Sequence, residues 1–108
     1  MPDSKQSIKD VYDAGMAEVF KVVGSLDATP TQRKVAKQTA KDLSSMLVTH
    51  TLQTIEGRTA LLSGLIVELN QVIRVVETSP PYQNAVEGFS KILTKAQALF
   101  TQEKKDMI

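Results

Sequence analysis

Residues 47–59 read LVTHTLQTIEGRT, and the way this stretch folds decides between two helical architectures. Gly57 and Thr59 can form a turn here, because glycine often ends one helix and threonine often caps the next. The chain is then an up-down four-helix bundle with short loops. Without that turn, one helix of about 48 residues fills the middle of the chain, and Gly57 costs it about 1 kcal/mol relative to alanine.

Three features favour the continuous middle helix. Residues 55–59 contain a single glycine, whereas the other two junctions carry proline and several turn residues. The centre of the apolar face drifts by roughly 80° over about four heptads, as expected of a supercoiled helix. Apolar residues also persist outside the main apolar faces near the junction. These outer residues are Val48, Leu52, Ile55, Val67 and Val75.

A continuous middle helix would be about 70 Å long, and each neighbouring helix would have half that length. Two short helices cover little of such a helix, so a second copy of the chain would complete the four-helix layers. The outer apolar residues would then form a dimer interface or contact another protein. The predicted fold is all-α: either three helices with a long central helix completed by dimerisation, or an up-down four-helix bundle.

Helical periodicity extends over the whole chain. Apolar residues recur at three- and four-residue steps in four segments, and no segment alternates as a strand does. Thr29, Pro30 and Gln32 predict a capping box at the start of the second helix. Leu26 belongs to the apolar face of the first helix, and the last helix starts near Pro81. One domain, residues 1–108, is predicted, with helices at about 4–26, 30–56, 59–78 and 81–104, of which the middle two can be continuous.

The composition excludes several classes of function. The 108 residues include 13 Lys plus Arg, 12 Asp plus Glu and no cysteine, which gives a net charge of +1. The lack of cysteine excludes disulfides, thiol catalysis and zinc–sulfur sites. The densest basic stretch is interpreted as spread around a helix rather than aligned, so no nucleic-acid binding is expected. It consists of Arg33, Lys34, Lys37 and Lys41.

Neither the N-terminal residues nor the longest apolar-rich stretch predicts membrane association. The N-terminal residues MPDSKQSIKD are polar where a signal peptide requires an apolar segment. Residues 60–76 form the longest apolar-rich stretch, but serine, asparagine, glutamine and charged residues interrupt it. We therefore expect a cytoplasmic protein without a membrane partner.

His50 is the only histidine of the chain. Over about five residues its surroundings resemble the helical motif of histidine-phosphotransfer domains. Leu52 matches the leucine two residues after the histidine, whereas Gln53 and Thr54 stand where that motif has lysine and glycine. The resemblance implies, as an alternative function, phosphoryl transfer through His50. The competing interpretation is a histidine that packs in the core or in an interface.

No other pattern predicts a chemical site. One histidine cannot supply a carboxylate-bridged di-iron centre, and no carboxylate pair lies at helical spacing on an apolar face. The chain also lacks a glycine-rich phosphate loop. We expect no metal, no cofactor and no enzymatic activity. The predicted function is that of a small interaction protein (adaptor, chaperone or regulatory subunit) that presents apolar helix faces to itself, as a homodimer, or to another protein.

Overall fold

The computed structural model describes residues 4–26, 28–47, 51–77 and 83–106. It contains four α-helices: α1 at Ser4–Val23, α2 at Pro30–Met46, α3 at Ile55–Val76 and α4 at Gln83–Asp106. The described residues contain no strand. The all-α prediction is therefore confirmed.

The helices form an up-down four-helix bundle. Each helix packs against the next one along the chain, α1 also packs against α4, and α1 and α3 touch across the bundle. The bundle measures 43 × 23 × 19 Å. A continuous middle helix of about 70 Å would not fit within these dimensions.

α2 and α3 are separate helices, so the continuous middle helix that the sequence favoured does not form. The turn also lies earlier than the predicted boundary between residues 56 and 59, since α2 ends at Met46 and α3 begins at Ile55. Gly57 does not end α2. It lies in the first turn of α3.

Threonine side chains, rather than a glycine stop, define this turn. The Thr51 hydroxyl donates to the Met46 carbonyl at 3.2 Å, at the end of α2. The Thr54 hydroxyl accepts a hydrogen bond from the Gly57 amide at 3.0 Å, which makes Thr54 the N-cap of α3. A Cβ atom at Gly57 would overlap the carbonyl oxygen of Thr51. Glycine is therefore needed here because the chain folds closely back on itself.

α1 is three residues shorter than predicted. It ends at Val23, and the amides of Gly24 and Ser25 donate to the carbonyls of Phe20 and Val22 as the chain leaves the helix. Leu26 was assigned to the apolar face of this helix, but it lies in the following turn and is 94% exposed. The assignment of Leu26 to the core was wrong because the helix ends before it.

The start of α2 confirms the predicted capping box. The Gln32 amide donates to the Thr29 hydroxyl at 3.1 Å, and the Thr29 amide donates to the Gln32 side chain at 2.9 Å. The amide nitrogen of the same Gln32 side chain donates to the Val75 carbonyl at 3.4 Å. One side chain thus caps α2 and joins its start to the last turn of α3.

The predicted apolar faces of all four helices supply the core. Tyr12 joins two of them, because its hydroxyl donates to the Leu43 carbonyl at 2.6 Å in the last turn of α2. That carbonyl has no partner within the helix, so the bond satisfies a helix end. The core includes Ile8, Val19, Val22, Ala36, Leu43, Leu61, Leu62, Leu65, Leu69, Val72, Phe89 and Ala96.

α3 is the most apolar of the described helices. By length and composition alone, it is the one described helix that could cross a membrane. Core helices of soluble proteins share this property, and α3 buries eight residues in the bundle. The apolar character of α3 is therefore weak evidence for a membrane span.

Candidate functional site

The described members of the predicted interface do not share one exposed surface. Val48 lies outside the described residues, and Leu52 packs against the core. Ile55 and Val75 are half-buried at opposite ends of α3, about 30 Å apart. Val67, in the middle of α3, is 51% exposed. No single exposed surface contains the four described positions.

The two remaining predictions concern a second copy of the chain and phosphoryl transfer through His50. A second copy of the chain is not needed to cover a long helix, because the four helices of one chain already cover one another. His50 lies outside the described residues, so phosphoryl transfer through this histidine stays a prediction.

A groove of about 650 Å³ lies along α2 beside the end of α1, and we call it the α1–α2 groove. Four cationic side chains of α2 line it. Lys37 follows Arg33 by four residues and Lys34 by three, and Lys41 follows Lys37 by four, which places all of them on one helix face. The interpretation of this basic stretch as spread around the helix was wrong. The groove is lined by Val23, Pro30, Arg33, Lys34, Lys37, Gln38 and Lys41.

The four cations of the groove have no carboxylate partner among the described residues. That part of the chain forms the ion pairs Lys21–Glu18, Arg58–Glu103 and Lys91–Glu87, none of which includes a cation of the groove. Asp42 follows the last cation of the groove, and it accepts a hydrogen bond from Gln38 at 2.8 Å. Four positive charges without a carboxylate partner among the described residues therefore lie within about 12 Å along α2. Such a concentration of charge attracts anionic groups.

Large exposed apolar side chains lie near one end of the groove. Phe20 is 55% exposed and precedes the groove residue Val23 by one turn, so the two side chains are neighbours on α1. Leu26 follows three residues after Val23 and is almost fully exposed. We call Phe20 and Leu26 the apolar edge of the groove. The sequence pattern does not reveal this edge, because Leu26 matches the period of the apolar face of α1.

A buried ion pair links the turn between α2 and α3 to the end of α4. Arg58 Nε donates to Glu103 Oε2 at 3.2 Å, and its Nη1 donates to the Leu52 carbonyl at 3.0 Å. The side chains of Arg58 and Glu103 are 15% and 3% exposed. The sequence analysis missed this pair, although Glu103 follows Leu99 by four residues and thus continues the apolar face of α4. The pair holds the bundle together and brings no reactive group to the surface.

Glu68 is a second buried carboxylate, on α3. It is 9% exposed, and it belongs to none of the ion pairs between described residues. Burial raises the pKa of the Glu68 carboxyl, and the nearby negative charge of Asp42 raises it further. Its charged form is therefore disfavoured in the folded protein.

Glu68→Gln is expected to stabilise the protein at neutral pH. The raised pKa means that the folded state binds this proton more tightly than the unfolded state does. The destabilisation by ionised Glu68 is therefore fully present above the raised pKa. It disappears as the pH falls toward about 4.3, the ordinary value of a glutamate.

Urea unfolding at a series of pH values measures this effect. The advantage of Glu68→Gln over the wild type should shrink as the pH falls. Glu87→Gln serves as the control, since Glu87 is 74% exposed and its ion pair contributes little. A Glu68→Gln advantage that does not change with pH would contradict this assignment.

The described residues contain no group of three histidine, cysteine, aspartate or glutamate side chains that could hold a metal ion. The protein is an all-α four-helix bundle. Its α1–α2 groove carries cations that have no carboxylate partner among the described residues, and an apolar edge lies beside it. The sequence matches no protein-family model, and no curated protein or solved structure is significantly similar to the chain.

Proposed function

We propose that this chain is a small, non-enzymatic interaction protein of the cytoplasm, acting as an adaptor, chaperone or regulatory subunit. The observation that supports this function is the exposure of Phe20 and Leu26 beside a groove of unpaired cations. Exposed apolar side chains rimmed by polar residues are typical of protein-contact surfaces. Aromatic residues such as Phe20 are also enriched in such interfaces.

The contact surface in this proposal differs from the one predicted from the sequence. It consists of the α1–α2 groove and its apolar edge, instead of the outer residues of the middle segment. If the partner is a second copy of the chain, this surface forms a homodimer. Val67 is the member of the predicted interface set with the most exposed side chain among those described, and it lies on a different helix from the apolar edge.

Site-specific photo-cross-linking tests the proposed function. A benzophenone-bearing amino acid replaces Phe20 in one variant and Lys91, an exposed residue of α4, in the control. In a lysate of the source cells, the probe at position 20 should give discrete adducts that the probe at position 91 does not give. With purified protein, an adduct of twice the chain mass would identify a homodimer. Equal labelling from the two positions in both experiments would overturn the proposal.

A further inference from the structure

We propose that the α1–α2 groove binds an acidic amphipathic helix of a partner protein. This inference rests on the proposed function and adds the chemistry of the partner. Three features of the groove support it: its shape, its unpaired charges and its apolar edge.

The shape of the groove suits a helix. The lining residues of α2 extend from Pro30 to Lys41, about 16 Å along the helix axis, which equals three turns of a second helix. Val23, at the end of α1, lines the groove from the side opposite these residues of α2. An amphipathic helix in a surface groove is a common mode of peptide recognition.

The charges of the groove require an anionic partner. Lys34, Lys37 and Lys41 follow one another at steps of three and four residues, and Arg33 lies beside them. Aspartate or glutamate residues at the same steps on a partner helix would face this row. The contact would break no ion pair within the described part of the chain. Complementary charges of this kind speed association and exclude cationic partners.

The apolar edge distinguishes an amphipathic helix from other anionic partners. Phe20, Val23 and Leu26 offer apolar surface to leucine-like side chains that lie next to the acidic row on the partner helix. A nucleic acid binds mainly through its phosphates, and these form no favourable contact with the apolar side chain of Leu26. The combination of groove, cations and apolar edge therefore favours a protein helix.

A synthetic peptide of about 18 residues, long enough to form a helix, is the probe. It carries a row of glutamate residues and, next to it on the helix surface, a row of leucine residues, together with a fluorescent label for anisotropy titration. A peptide of the same composition in shuffled order lacks the apolar face and is the first control. A peptide with lysine in place of glutamate is the second. Only the acidic amphipathic peptide should bind to the wild-type protein.

Matched charge reversals locate the binding surface. Lys37→Glu/Lys41→Glu reverses two charges of the groove, and Lys91→Glu/Lys95→Glu makes the same net-charge change on α4. All four side chains are exposed, so circular dichroism should show that both variants fold. The groove variant should weaken binding of the acidic peptide by about tenfold or more, and the α4 variant should change it little.

Each other outcome overturns the inference. Equal weakening by the two double variants would show non-specific attraction between net charges. Binding of anionic lipid vesicles or a DNA oligonucleotide without binding of the acidic peptide would assign the groove to a different partner. Cross-linking from position 20 without peptide binding would leave the proposed function standing and refute the acidic helix. Failure of both experiments would refute both.

Discussion

Phe89→Ala is expected to lower the free energy of unfolding by about 3–5 kcal/mol. Phe89 is fully buried and is the largest of the fully buried side chains among the described residues. It lies on α4, which packs against both α3 and α1, and removal of its ring leaves a cavity in the core that these helices share. The loss is a large share of the roughly 5–15 kcal/mol that stabilises a typical domain. Urea unfolding followed by circular dichroism measures it.

Phe20→Ala is the matched control for this substitution. It removes the same atoms from a side chain that is more than half exposed, so the expected loss is below about 1 kcal/mol. If Phe89→Ala is too unstable to fold, Phe89→Leu gives a smaller loss, of about 1 kcal/mol, in the same direction. Equal losses for Phe20→Ala and Phe89→Ala would contradict the packing of α4.

Glu103→Ala is expected to cost about 3–5 kcal/mol, although it removes only one partner of an ion pair. The substitution leaves the guanidinium of Arg58 mostly buried and without its counter-ion. Its hydrogen bond to the Leu52 carbonyl remains. A buried charge without its counter-ion is strongly destabilising, whereas an exposed pair contributes about 0–1 kcal/mol. Glu87→Ala, which breaks the exposed pair with Lys91, is therefore the control.

A double-mutant cycle shows whether Arg58 and Glu103 act on each other. Replacement of both by leucine should recover much of the loss, because apolar residues can substitute for a buried pair. Urea unfolding of the two single variants and the double variant gives the coupling free energy. A loss for Glu103→Ala no greater than that for Glu87→Ala would place Glu103 at the surface and contradict the structure.

The apolar faces could be predicted from the sequence, because burial of a helix face imposes a period that is visible in one chain. The errors lie at the helix ends, where local signals compete. Gly57 was interpreted as a helix stop or a helix interior, whereas the hydroxyls of Thr51 and Thr54 define the turn before it. The end of α1 at Val23 likewise removed Leu26 from the face whose period it matched.

The candidate site was only partly predictable. The spacing of Lys34, Lys37 and Lys41 already places these residues on one helix face, so their alignment could have been recognised. Their lack of carboxylate partners depends on which helices pack nearby, and the sequence does not encode this locally. Arg58 and Glu103 are 45 residues apart, so their pairing also follows from the packing of α3 against α4. Tertiary packing therefore determines the charge pattern of the surface.

The distance between positions 31 and 74 tests most directly whether the chain folds as four separate helices. Both residues are exposed, and the natural chain has no cysteine, so Thr31→Cys and Arg74→Cys would carry the only two spin labels. Their neighbours Gln32 and Val75 are joined by a hydrogen bond of 3.4 Å between α2 and α3. Pulsed electron paramagnetic resonance of labelled chains, diluted with unlabelled protein, should give a distance of about 10–30 Å, since packed helices lie about 10 Å apart. A distance near 65 Å, the length of one continuous helix between these positions, would contradict the four-helix bundle.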